Sequence, residues 1–295
     1  MNVKLDWLIA PFFVLIWSTG FVIARLAMPY VEPATFLFWR FIGVLIAMSA
    51  LSLVWRMQWP SLPQVRHIAV AGLLLQFGYL LGVWFAVRLG MTAGLVAIIV
   101  GLQPILTAWF AAWISEKVSS RQWSGLAFGF AGVALVVVEK IGFNHIPLLS
   151  YILAFVALLS ITFGTLYQKK YCPVFDLRAG SLIQFSVSAV LCFPCMYFLE
   201  SGVIVWNTPV IVAMLWAIFP LSIGSISLLY MMIRKGAATK VTSLLYLTPP
   251  FTAAMAWLLF NEPFTAMMAV GLALTMTGVV LVNARKSNSV ATIAE

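Results

Sequence analysis

Eight carboxylates, seventeen basic side chains and two histidines are spread over 295 residues, and their placement limits the chemistry open to the chain. The acids Asp6, Glu32, Glu116, Glu139, Asp176, Glu200, Glu262 and Glu295 all fall in tails, in loops or at the ends of apolar runs. No carboxylate lies mid-run, where a buried proton relay would need one. Arg40, in Phe38–Trp39–Arg40–Phe41, is the single charge within a run. A cation there could neutralise the carboxylate of a bound solute. Its place near one end of the run favours a plainer role, snorkelling to the interface and bonding helix-end carbonyls. Glu116 and Glu262 each close a long apolar run, and there they are expected to bond N–H groups of the next helix.

Other reactive types point to no catalytic centre. His67 and His145 lie apart near loops, so no metal cluster is visible, and no phosphate-binding glycine loop, zinc motif or nucleophile elbow appears. Cys192 and Cys195 have redox-like spacing but stand in an apolar run without a βαβ context, and Cys172 makes the count odd. No metal, no cofactor and no enzyme activity are expected. Uncharged polar and aromatic residues deep in the runs remain. Trp17, Ser18, Gln76, Tyr79, Gln103, Phe163, Ser222, Ser225 and Tyr246 form the expected solute-binding set, with Ser160, Thr165 and Thr248 nearby and Arg40 as the candidate charge partner. Aromatic walls with few hydrogen-bonding groups suit an amphipathic organic solute. For any single member, helix packing or bonding to the i−4 carbonyl competes with that role.

These residues sit in runs built for lipid. The chain is 63% hydrophobic and 8% charged, against about 25% charged for a soluble domain. A bilayer core needs roughly 20 apolar residues per helix. Spans are expected near 7–28, 34–54, 67–87, 92–115, 121–139, 149–169, 178–199, 209–233, 238–260 and 265–284. The first exceeds the apolar core of a signal peptide and reads as an uncleaved helix. Trp7, Trp55, Trp59, Trp113, Trp123 and Trp206 near span ends suit an interfacial belt.

The second half repeats the first. A shift of 146 residues brings Gly78 onto Gly224, Arg88 onto Arg234, Gly90 onto Gly236, Pro104 onto Pro250, Glu116 onto Glu262, Gly125 onto Gly271 and Gly132 onto Gly278. Upstream the shift is 144, with Gly20 on Gly164, Pro29 on Pro173 and Phe41 on Phe185. Glu139 has no acidic counterpart, which makes it the first candidate for ion coupling. The expected fold is an all-α membrane protein of ten transmembrane helices. It divides into two five-helix repeats, 1–144 and 145–286, followed by a tail, 287–295.

Charge sets the expected orientation. With both termini cytoplasmic, inner loops and tails hold 13 of the 17 basic residues and outer segments hold Arg25, Arg88 and Lys140. An odd number of spans per repeat then inverts one repeat relative to the other, the architecture that supports alternating access around a central site. The net charge of +9 comes from short clusters between spans, so no nucleic-acid partner is expected. The expected partners are the bilayer and a small-molecule substrate. Gly78-x-x-x-Gly82 and Gly125-x-x-x-Gly129 allow close helix approach, inside a monomer or in a homodimer through helices five and ten.

The pattern Leu102–Gln103–Pro104, Ser115–Glu116–Lys117, then Gly125, Gly129 and Gly132 recurs as Thr248–Pro249–Pro250, Asn261–Glu262–Pro263, then Gly271 and Gly278. Together with Ile16–Trp17–Ser18–Thr19–Gly20–Phe21, it resembles the EamA family of the drug/metabolite transporter superfamily. The resemblance implies a ten-helix inner-membrane carrier, exporting small metabolites such as amino acids, or drugs. A lipid-linked or nucleotide-sugar flippase, a membrane enzyme and a non-transporting receptor are the competing classes. An impermeant thiol reagent added outside should label cysteines placed at positions 145 and 205, and should spare cysteines at 60 and 288. The reverse pattern overturns the orientation.

Overall fold

The computed structural model describes residues 3–54, 57–115, 120–143, 146–225, 228 and 247–283. Runs without internal backbone partners other than their own can cross lipid only as helices, and the described residues are mostly helical with no strand. In chain order they form α1 (Val3–Ala27), α2 (Pro33–Val54), α3 (Leu62–Gly72), α4 (Tyr79–Arg88), α5 (Ala93–Val100), α6 (Gln103–Ser115), α7 (Ser120–Phe143), α8 (Leu148–Tyr171), α9 (Leu177–Leu199), α10 (Thr208–Trp216), α11 (Thr248–Phe260) and α12 (Ala266–Asn283). Four segments are long and apolar enough to cross a bilayer, Pro33–Ser52, Leu62–Arg88, Leu148–Tyr171 and Leu177–Leu199, and shorter apolar helices accompany them.

Three departures from regular helix interrupt the expected spans. The 92–115 span is two helices, because the chain turns at Gly101–Leu102. Pro104 has no N–H for the carbonyl one turn back, and it sits in the first turn of α6, where that donor is not needed. The third span is continuous from Leu62 to Arg88 but π-helical over Leu73–Gly78. A second π-helical stretch, Ala217–Gly224, follows α10 and contains Pro220. The Tyr79 N–H bonds Leu74 O, and the Ser225 N–H bonds Pro220 O. Both bonds span five residues, and the 146-residue shift carries one onto the other.

Packing follows the small residues. α7 lies along α12, with Gly132 against Gly271 and Thr275, and Gly278 against Gly125 and Gly129. As one number rises the other falls, so the two helices are antiparallel. The 146-residue shift exchanges the contact Gly125–Gly278 with Gly271–Gly132. The glycine stripes are therefore spent within the chain, not held free for a second copy. Gly78 and Gly82 face α8 closely, where an added Cβ would lie 2.8 Å from Ser160 Oγ and from Leu153 O respectively. α2 lies along α9, where Phe41 and Phe185 meet with ring centroids 5.7 Å apart. α5 is buried along its whole length, which explains why all eight of its residues are apolar.

One end of the bundle is closed by its loops. Arg88 donates to Met28 O (3.2 Å), Val205 N–H to Tyr30 O (3.1 Å), and Ser150 Oγ to Leu89 O (3.4 Å). Gly90, with φ of 101°, makes the α4–α5 turn that an L side chain would strain. At the opposite end Gln58 N–H donates to Asp176 (3.2 Å), and Tyr167 lies 2.8 Å from His67 Nδ1. Gly278→Ala should lower the melting temperature of the purified protein in detergent, by overpacking worth about 1–3 kcal/mol. Gly20→Ala should not, because its added methyl meets only Leu221 at 3.8 Å. Thermal unfolding of the two variants side by side checks the contrast.

Candidate functional site

The helix breaks converge on one cavity. Its walls are Trp17 and Phe21 of α1, Tyr79, Ala97, Val100 and Gly101, Gln103 and Pro104 of α6, Ile161 of α8, and Thr248 and Pro249 of α11. Gly101 is required here, since a Cβ would lie 2.7 Å from the Pro249 ring. Gln103 donates to Thr165 Oγ1 at 3.1 Å, tying α6 to α8. Thr248 Oγ1 is buried with no hydrogen-bond partner among the described residues. The space enclosed is about 20 Å³, in a cleft of about 350 Å³ counted out to its open mouth. That holds about one water, against roughly 300–1,000 Å³ for an organic-ligand pocket. The walls must part before such a solute can enter.

Arg40 lies behind the Tyr79 wall. It does not snorkel: the residue is 7% exposed, and Nη2 donates to Ser222 Oγ at 3.1 Å. Its Nε has no partner among the described residues, and no described carboxylate lies within ion-pair distance of it. Tyr79, at the C-terminal edge of the first π stretch, is its electrostatic neighbour. Ser222 belongs to the second stretch and donates to Ala217 O five residues back. The guanidinium is thus seated between the two repeat-related irregularities. A cation taken out of water is costly unless a partner compensates it, and one neutral hydroxyl compensates little.

The expected site residues divide accordingly. Trp17, Tyr79 and Gln103 line the cavity together. Ser18 is buried beside it but bonds its own helix at Val14 O (2.7 Å), while its carbonyl accepts from Thr252 (3.1 Å). Ser225 bonds Pro220 O at 3.3 Å. Gln76 is half-buried in the first π stretch, outside the lining. Phe163 is turned outward, 42% exposed and packed on Phe110. Its neighbour Gly164 takes the inward position, against Leu74 and Leu75. Tyr246, Glu116 and the side chain of Glu139 lie outside the described residues. Glu262 bonds helix N–H groups, as expected of it, but those of α5 and not of the next helix. Phe21, Val100 and Ile161 are lining residues that polarity could not flag, although Phe21 stands one helical turn from Trp17.

A chain of apolar helices with a central aromatic cavity is the build of a membrane carrier, and comparison with known proteins agrees. The profile of the EamA-like transporter family matches residues 7–138 and again 148–284. The chain belongs to that family. It is 27% identical to the uncharacterized transporter YvbV of Bacillus subtilis over 94% of this chain and 91% of that one. It is 25% identical to a probable amino-acid metabolite efflux pump of Salmonella typhimurium over 92% and 93%. A solved crystal structure shares the fold with a TM-score of 0.65 at 18% identity, covering 93% of this chain and 94% of that one.

Thr248→Val removes a buried hydroxyl that no described group bonds. It should leave the melting temperature unchanged or raise it, since an unsatisfied buried polar group costs about 1–3 kcal/mol. Solute affinity should fall. A loss of stability would show that the hydroxyl is structural.

Proposed function

We propose that the chain is an exporter of small amphipathic organic solutes that carry an acidic group, amino acids and related metabolites foremost. In this reading ten transmembrane helices form two inverted five-helix repeats, 1–144 and 145–286, in the cytoplasmic membrane. Both termini, including the tail 287–295, are cytoplasmic. The observation that carries the reading is Arg40, a buried cation with no described acidic partner, held by both halves beside an aromatic cavity. An ionised group in such a place is a functional site by default, and a carboxylate is the natural partner of a guanidinium fork. The relatives named as amino-acid metabolite efflux pumps support the same solute class. The contacts exchanged by the 146-residue shift between α7 and α12 support the inverted arrangement. The narrowness of the cleft supports alternating access, since entry of a solute needs the walls to part.

Mid-span acids are missing from the sequence, so transport should follow the solute gradient and survive collapse of the pH gradient. If protons are coupled, Glu139 is the first residue to test. The experiment is uptake of an amino-acid panel and the matching amides into proteoliposomes. Arg40→Gln should depress movement of the acids about tenfold or more, a buried charged hydrogen bond being worth about 1.5–3 kcal/mol, and affect the amides little. Equal transport of acids by Arg40→Gln and wild type would sink the assignment. Proton flux that persists in Glu139→Gln would remove that residue from coupling.

A further inference from the structure

Four loop-end carboxylates serve the described part of the molecule, and two of them cap helix starts in the other half. Glu200, at the end of α9, accepts from Ala34 N–H (2.8 Å), Thr35 N–H (2.7 Å) and Thr35 Oγ1 (2.7 Å). Those are the first-turn donors of α2, some 165 residues away. Glu262, past the end of α11, accepts from Ala93 N–H (3.2 Å) and Gly94 N–H (3.5 Å), the first turn of the buried helix α5. Arg25 of α1 stands 3.9 Å from the same carboxylate. A helix start leaves its first N–H groups without intrahelical partners and favours negative charge. Here the cap is supplied from the other half of the chain. The same end carries two lesser ties. Glu32 accepts from Ser201 N–H (2.7 Å) and Oγ (2.6 Å), and Val31 lies opposite Ile204 in an antiparallel bridge.

At the opposite end Glu116 holds the repeat place of Glu262 and lies outside the described residues. The repeat shift of 144 places Asp176 where Glu32 stands, and Asp176 accepts from Gln58 N–H (3.2 Å), so one tie recurs. Asp176 otherwise caps its own helix, and the hydrogen bonds from Arg178 hold its carboxyl down to about 2. The position matching Glu200 is Arg56, a base. Among the described residues, a carboxylate that caps a helix start in the other half is thus seen at one end alone. Glu262 closes α11 and caps α5, two helices that wall the cavity, and Glu200 caps α2, which follows the cavity helix α1 by a short loop.

We propose that Glu200 and Glu262 are the two halves of a latch that holds this end of the cavity shut, and that the latch opens by withdrawing each carboxylate from a helix start in the other half. The inference rests on the carrier reading for its purpose, but its geometry stands apart from any solute. Opening leaves the first turns of α2 and α5 to be capped by water, which this end can supply once parted. Because each bond is charge-assisted, the closed state is favoured until a solute pays the difference. In the proposed orientation the latched end faces outward, so the latch gates release.

The test needs no known substrate. Cys172, Cys192 and Cys195 are replaced by serine and Gln103→Cys is placed in the cavity wall. An impermeant maleimide is then added to the latched side of oriented proteoliposomes. Glu200→Ala and Glu262→Ala should each speed labelling by about tenfold, the shift expected from losing charged hydrogen bonds. Val31→Cys with Ile204→Cys provides an independent arm, since residues paired in an antiparallel bridge have the spacing a disulfide needs. The oxidised pair should block labelling from that side, and reductant should restore it. Unchanged labelling in folded Glu→Ala proteins, or undiminished labelling of the oxidised pair, overturns the latch. If the Glu variants fail to fold, the disulfide arm decides alone. If no solute moves in liposomes while labelling responds as stated, the latch stands and the carrier reading falls.

Discussion

A backbone N–H or carbonyl in hydrocarbon has no water to bond, and the structure depends on how that constraint is met at helix ends and breaks. Regular helix meets it within each run. Wherever helix stops or loosens, some other group must take over. At one end of the bundle the takeover is by carboxylates from distant loops, Glu200 on α2 and Glu262 on α5. In the interior it is by altered pitch, with five-residue bonds at Tyr79 and Ser225 and hydroxyls of Ser222 and Ser225 reaching the same carbonyl spacing.

The breaks are where the candidate site gathers, for the same reason. A π stretch or a Gly–Pro interruption turns backbone and side chains away from lipid-filling duty and toward each other. Gly101, Pro104 and Pro249 let α5, α6 and α11 meet closely around Trp17 and Tyr79. The two π stretches flank Arg40. π-helical turns cost regularity and tend to mark functional positions. Here their recurrence at one repeat-related place in each half ties them to the duplicated design.

Much of the fold was legible in the residues. Spans read from apolar length agree with helix bounds within a few positions where both are described, as with 178–199 against Leu177–Leu199. The tripled glycines of α7 and the matching pair in α12 announced a close helix contact. The break at Gly101 was legible only in part, because Gln103 and Pro104 interrupt the run from Ala93 to Ser115 but a single proline in a membrane helix can be tolerated as a kink. Part of the candidate cavity was legible too. Trp17, Tyr79 and Gln103 were visible as polar or aromatic residues at mid-span. The face of Phe163 was not legible, since helical phase, not polarity, decides which side a residue takes, and in the structure it packs on Phe110 away from the cavity.

Composition, periodicity and the internal repeat by themselves determined that the chain is a bundle of membrane helices with a duplicated plan. Those properties are additive along the chain: each run partitions into lipid on its own hydropathy, and each copy shows against the other without any contact being known. Partners are different. That Arg40 meets Ser222 rather than the interface, that Glu262 caps α5 rather than its neighbour, and that Glu200 serves α2 depend on which helix ends come within about 3 Å of one another. Separations of 165 to 182 residues leave no trace in local pattern, so only the tertiary structure decided them.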